Sequence, residues 1–255
     1  MKSLGIFWRQ VSILTYANIR SRYRKTFAGF IWVVASPIII YYIQSLVFKK
    51  FLKLDIPDYS LFLLGGLLPW IFITGTLDMC TPIFTTRADL LKSFKISPFV
   101  LILSQIFDNF LNFFLAFILL LIPLSFLQGK YTVGILFLPV ATVVLIFGVI
   151  GIASLFALMQ VFMRDIRYIL PFITNVLFFL TPIFYPLEIV PEQYRYLIQN
   201  NPFYLIINPF RICIHQFDSS LFLIAIYKGS IVSISFMALS YYAWKRKMNE
   251  FYLYI

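Results

Sequence analysis

The chain has 255 residues, 61% of them hydrophobic and only 12% charged, against about 25% charged in an ordinary soluble domain. One soluble core cannot absorb that excess, and several apolar stretches exceed the roughly 18 residues that separate a membrane span from a buried core helix, so the composition excludes a soluble domain and indicates a polytopic α-helical membrane protein. The net charge of +11 is carried by cations beside the apolar blocks, which makes the membrane surface, rather than nucleic acid, the simpler partner.

Residues 3–19 place Leu4, Phe7, Trp8, Val11 and Leu14 at helical spacing, with Arg9, Gln10 and Asn18 off that stripe. This reads as an amphipathic helix in the cytoplasmic interface, although a helix packed on the bundle satisfies the same pattern. No signal peptide is expected, since polar and basic side chains run through the first 26 residues, so the first span should stay in the mature protein. The segment ends in Arg20, Arg22, Arg24 and Lys25, directly before the apolar block Phe27 to Phe48. Lys and Arg are retained on the cytoplasmic side, so this junction sets both a span and its direction.

Further apolar blocks fall at 59–83, 99–127, 132–163, 167–186 and 221–244, giving six predicted spans with both termini cytoplasmic. Segments assigned inside hold 14 Lys and Arg against 7 outside, in agreement with positive-inside. The division is a basic interface helix over 1–26, a six-span domain over 27–244 and a cytoplasmic tail over 245–255.

Span 2 carries Asp78 near its cytoplasmic end, where hydration is easier. After it, Thr85 to Lys95 reads as a short cytoplasmic helix exposing Arg87, Asp89, Lys92 and Lys95, either a docking segment for a soluble partner or a solvated connector. On span 3, Gln105, Asp108 and Asn112 recur at helical intervals and form one polar stripe. Intramembrane polar residues mark either a pathway or hydrogen bonding between helices.

Segment 187–220 is too apolar for a plain connector and too short for two more spans. Its apolar pieces 193–199 and 203–217 are separated by Asn200, Asn201 and Pro202, where a helix breaks. Prolines 182, 186, 191 and 209 bracket it. Short helices that dip into the outer leaflet and return fit this pattern, provided protein covers their backbone.

Catalytic signatures are missing from the sequence. There is no G-x-x-x-x-G-K-[ST] to cradle ATP phosphates, no H-E-x-x-H and no G-x-S-x-G. Cys80 and Cys213 are isolated and His215 is the single histidine, so neither a disulfide framework nor a metal site is expected. Aromatic residues make up 20% of the chain; they suit the membrane interfaces, helix packing, or a route along which sugar rings stack.

Arg22-Tyr-Arg-Lys-Thr-Phe-Ala-Gly29, followed by Trp32 and Pro37, resembles the start of the first span in type-2 ABC-exporter permeases, especially the polysaccharide and O-antigen export branch. Arg164-Asp165-Ile-Arg-Tyr168, Pro171, Thr181-Pro-Ile-Phe-Tyr-Pro186, Pro191, Asn201-Pro202 and Arg211 extend the resemblance over most of the chain. Thr26-Phe-Ala departs mildly from the Ser-x-Leu common before that glycine.

The resemblance implies an all-α fold of six spans, an N-terminal interface helix and re-entrant periplasmic helices between spans 5 and 6. It implies a homodimer in a prokaryotic inner membrane, joined to two copies of a separate ATPase that would bind ATP and Mg, with no cofactor in this chain. Arg87, Asp89, Lys92 and Lys95 would meet the ATPase, and Tyr194, Asn201, Pro202 and Arg211 would belong to the periplasmic gate. Gln105, Asp108, Asn112 and Trp32 would line the path of a polyprenyl-diphosphate-linked polysaccharide, whose diphosphate Arg20, Arg22, Arg24 and Lys25 would attract, as they would lipid headgroups. The spans alone leave three other readings open: a permease for a drug or smaller lipid, an ion-coupled carrier using Asp108, and a membrane-bound glycosyltransferase.

Overall fold

The computed structural model describes residues 2–23, 27–51, 56–94, 96–128 and 133–255. Among these the secondary structure is entirely helical. Helix α1 (Lys2–Tyr23) is followed by α2 (Phe27–Ser45), which runs on into a π-helical turn, Leu46–Phe51. Then come α3 (Tyr59–Cys80), α4 (Ile83–Thr86), α5 (Ala88–Ser93), α6 (Pro98–Gln128), a 3-10 turn Val133–Phe137 leading into α7 (Leu138–Phe162), and α8 (Ile166–Leu180). Helices α9 (Glu192–Gln199), α10 (Pro202–Ile214) and α11 (Ser219–Tyr254) complete the chain.

Among the described residues, four helices are long and apolar enough to cross a membrane: Tyr59–Cys80, Pro98–Leu127, Val133–Phe162 and Ser219–Tyr254. They correspond to predicted spans 2, 3, 4 and 6. The block predicted as span 1 is helical over 19 residues in α2, while several of its side chains lie outside the described set. Predicted span 5 is shorter than its apolar block. Helix α8 has 15 residues, about 22 Å at 1.5 Å per residue, against a hydrocarbon core of about 30 Å. It stops because Thr181 precedes Pro182 and takes an extended conformation, with φ −99° and ψ 127°.

Helix α3 is apolar over most of its surface and occupies the centre, with Leu63, Leu64, Leu67, Leu68 and Leu77 buried. Helices α7 and α11 form the most extensive pair. Small residues bring them close: a Cβ on Gly151 would lie 2.7 Å from the backbone of Phe236 and Met237. The Ser233 hydroxyl donates to the Val144 carbonyl at 2.9 Å, and the Trp244 indole donates to the Ser154 carbonyl at 3.3 Å. Close backbone approach with hydroxyl bonds is how helices associate where lipid supplies no hydrophobic drive between them.

Residues 245–255 continue α11, which is helical to Tyr254. One expectation changes. Residues 85–95 are not one helix, because Arg87, with φ −122° and ψ 29°, divides α4 from α5. Helix α1 packs on α6 through Val11, Leu14 and Thr15, whose hydroxyl lies 3.3 Å from the Ser104 carbonyl, and Trp8 approaches Phe107 at 6.3 Å. Its Leu4, Ile6, Ile13 and Tyr16 stay exposed. One face therefore meets the bundle and another is left to the surroundings.

The α7–α11 contact yields a first prediction. Gly151→Val forces two backbones apart and is expected to destabilise by about 1–3 kcal/mol, as overpacking does, seen as a Tm several degrees lower in detergent. Gly5→Ala is the control, since nothing lies within 4 Å of a Cβ there.

Candidate functional site

Three helices with polar residues on one face each enclose a groove of about 300 Å³. Helix α3 contributes Trp70, Thr74 and Asp78 at four-residue steps; α8 contributes Pro171, Thr174, Asn175 and Phe178; α2 contributes Ile40 and Gln44. Asp78 is exposed near the C-terminal end of α3. The Gln44 side-chain carbonyl is buried and has no partner among the described residues. An acceptor left so costs about 1–3 kcal/mol, which water or a hydroxyl-rich ligand entering the groove would recover. Trp70 anchors the upper wall, 6.0 Å from Phe178 and 5.7 Å from Phe203 on α10.

The stripe on α6 lies elsewhere. Gln105, Asp108 and Asn112 are all buried. The Gln105 amide donates to Asp108 Oδ2 at 3.3 Å and approaches the Met79 sulfur at 3.2 Å. Beside them, Asn109 donates to the Thr76 hydroxyl at 2.9 Å. Hydrogen bonding between helices thus occupies much of this face. Asn112 and Trp32 do share a cavity of about 340 Å³ with Ser36, Gly75 and Met79, whereas Gln105 and Asp108 do not line it. The four residues expected along one path are therefore divided between two places.

Beyond α8 the chain runs irregularly from Thr181 to Pro186. Its carbonyls find donors on other elements. Asn201 Nδ2 donates to the Leu180 carbonyl at 3.3 Å and to the Thr181 hydroxyl at 3.0 Å, while its Oδ1 accepts from the Phe203 N–H at 2.9 Å and caps α10. Pro202 takes the first helical position, where a missing N–H does no harm. Arg211 donates to the Ile183 carbonyl at 3.3 Å, and the Tyr59 hydroxyl donates to that of Phe184 at 3.1 Å.

Arg211 is 6% exposed and lies 4.4 Å from the centre of the Phe62 ring. Gly65 and Gly66 make room for it, since a Cβ on either would collide with its backbone or guanidinium. Asn201, Pro202 and Arg211 thus meet at the break, whereas Tyr194 is exposed on α9.

The segment of α4 and α5 is tied to three elements. The Arg87 guanidinium donates to Asn18 of α1 at 2.9 Å, the Thr85 hydroxyl bonds Gln160 of α7 at 3.3 Å, and Phe84 packs edge-on against Trp244 and Phe251 of α11 at 5.6 and 5.0 Å. Asp89 and Lys92 stay exposed. Lys95, Arg24 and Lys25 lie outside the described residues, as does the Arg22 side chain; Arg20 is exposed.

Sequence reading missed Gln44, Thr74, Thr174 and Asn175 of the groove. The signal available was the apolar and polar faces of α8, where Thr174 and Asn175 follow Pro171 by one turn.

Long apolar helices around a partly polar groove, with a broken helix stitched to its neighbours, are the architecture of a polytopic helical membrane protein. The chain belongs to the ABC-2 type transporter family, whose profile matches residues 9–215. It is similar to the O-antigen export system permease protein RfbA of Klebsiella pneumoniae, with 27% identity over 205 residues and 78% of each chain covered. The RfbA protein of Myxococcus xanthus is 28% identical over 71% of this chain and 69% of its own. The polysialic acid transport protein KpsM of Escherichia coli is 25% identical over 74% of this chain and 75% of its own.

The break supplies a second prediction. Asn201→Ala removes the cap and two donations and is expected to destabilise by about 1–3 kcal/mol. Asn201→Asp keeps the cap but turns a carboxylate oxygen toward the Leu180 carbonyl, so it should be at least as damaging. Tm, together with protease cleavage within 181–186, reads both.

Proposed function

We propose that this chain is the membrane subunit of an exporter that passes a lipid-linked polysaccharide outward along the α2–α3–α8 groove, driven by a separate cytoplasmic ATPase. Membership of the ABC-2 family and the relatives' names support the transporter class and the glycan cargo. The groove carries the reading for this chain: amide and hydroxyl groups of Gln44, Thr74, Thr174 and Asn175 alternate with the rings of Trp70 and Phe178. Sugars present C–H faces that stack on rings and hydroxyl edges that pair with amides, so this lining suits a glycan better than a compact apolar drug.

The finer elements of the proposal are six spans, counting α2 and the shortened α8, with α9 and α10 re-entrant from the outer side and both termini cytoplasmic. Two copies of the chain would face each other across their grooves, and two ATPases, which hold ATP and Mg, would bind beneath. Arg87, Asp89 and Lys92 on the α4–α5 segment would receive the ATPase stroke, with Lys95 beside them in sequence. Arg20, Arg22, Arg24 and Lys25 would attract the diphosphate of a polyprenyl-linked chain at the cytoplasmic entrance. Asn201, Pro202 and Arg211 would hold the outer gate.

Vesicles containing this chain and its ATPase are expected to move labelled glycolipid only with ATP; movement by this chain alone would sink the proposal. Thr74→Leu combined with Asn175→Leu fills the groove and should cut export at least tenfold while leaving ATPase co-purification and Tm unchanged. Asp108→Asn separates the rival: an ion-coupled carrier loses its pH-dependent transport, whereas the ATP-driven permease keeps most of its rate.

A further inference from the structure

Helix α11 is far longer than a bilayer requires. Its 36 residues span about 54 Å, against a hydrocarbon core of about 30 Å. Asp218 caps its outer end by accepting from the Ser220 and Leu221 N–H groups at 2.8 and 2.9 Å. Exposed Tyr241 and Tyr242, followed by Lys245, Arg246 and Lys247, place the cytoplasmic interface near those residues. The final turns therefore stand in water.

Those turns are firmly seated. Phe251 is fully buried, with ring centres 5.0 Å from both Phe84 and Trp244. With Phe251 turned inward, Met248 and Tyr252 face a socket of about 570 Å³ whose other wall is Leu91, Lys92, Phe94 and Pro98. Phe94 is 59% exposed and Tyr252 51%, and neighbouring Leu253 is 82% exposed. Lipid cannot cover apolar groups beyond the headgroups, and a contiguous apolar surface in water marks a protein contact. Lys92 is exposed on its wall, and Lys245 and Arg246 are exposed on the preceding turns of α11, with Arg246 over the Tyr242 ring at 4.4 Å. The acids at this end are Asp78, Asp89, Asp165 and Glu250, and Glu250 is held by Lys247 at 2.7 Å.

We propose that the C-terminal end of α11 and the α5 segment together form one docking socket, which receives an apolar knob ringed by carboxylates on the cytoplasmic ATPase. The proposal rests on reading the chain as the permease of a two-subunit exporter. Three observations choose this occupant. The socket is continuous with the segment proposed to meet the ATPase, the one charged side chain among its described lining residues is the cation Lys92, and it lies outside the bilayer. The family match ends at residue 215, so this half of the socket lies in the part of the chain beyond that match.

The experiment uses the full-length permease in nanodiscs with its ATPase. Tyr252→Asp and Met248→Asp are expected to weaken ATPase binding at least tenfold with Tm unchanged, and Lys92→Glu is expected to weaken it and flatten its salt dependence. Tyr252→Cys provides a reading that does not depend on stability, because both native cysteines are buried. Maleimide labelling of the introduced thiol should slow at least fivefold when the ATPase binds. If wild type retains no ATPase, the underlying two-subunit reading fails. If wild type retains it but the socket variants bind within twofold and labelling is unchanged, the socket proposal is overturned. Protection of the introduced thiol without ATPase, whether by the bilayer or by a second copy at high concentration, overturns it as well.

Discussion

Within hydrocarbon every backbone N–H and C=O must be satisfied by protein, and the architecture depends on how this chain meets that demand where α8 ends. Helix α8 covers about 22 Å, less than a hydrocarbon core of about 30 Å, and its last carbonyls and the irregular residues after it are packed among other helices. Water is scarce there, and an orphaned carbonyl costs several kcal/mol. Asn201, Arg211 and Tyr59 answer with side-chain donors to residues 180, 183 and 184. Because these donors sit on α10 and α3, the break fixes α8 against both helices. It does more than interrupt a span.

Arg211 shows how narrow that solution is. A buried guanidinium bonded to one carbonyl would ordinarily be unfavourable. Here the Phe62 face supplies a cation–π contact of the kind worth about 2 kcal/mol when desolvated, and Gly65 and Gly66 clear the space. Lysine offers no planar group to lie over the ring while reaching the Ile183 carbonyl. The requirement for arginine therefore comes from geometry as much as from charge.

Much of the helical scaffold was legible because burial in lipid writes itself as length and apolarity. The spans on α3, α6, α7 and α11 match uninterrupted blocks, and the breaks at Pro182 and Asn201-Pro202 follow from proline chemistry. The groove was not legible for a different reason. Its polar residues are few per helix and spread over α2, α3 and α8, so no single helix advertises it. The α6 stripe stood out because it is concentrated on one face, and the structure uses much of that face to bond α3. Periodicity reports which face is polar, and only packing reports what that face meets. Gly65 and Gly66 were equally silent, since their meaning lies in an arginine almost 150 positions away.

The α7–α11 pair joins the two ends of the molecule. At one end, Phe84 of the short segment packs against Trp244 and Phe251. Toward the other, a Cβ on Gly229 of α11 would meet the Leu205 carbonyl at 2.7 Å, and one on Gly148 of α7 would meet Ile206 at 2.8 Å. Both contacts are with α10, the helix whose Asn201 and Arg211 secure the break. Backbone-to-backbone packing of this closeness leaves little slack, and close-packed interiors transmit displacement rather than absorb it. Gly148, Gly151 and Gly229 therefore tie α7, α10 and α11 into one close-packed unit that reaches from Phe84 to the break after α8. Beside it, Asn109 bonds α6 to the Thr76 hydroxyl of the central α3, so the polar face of α6 fixes the helix around which that unit packs.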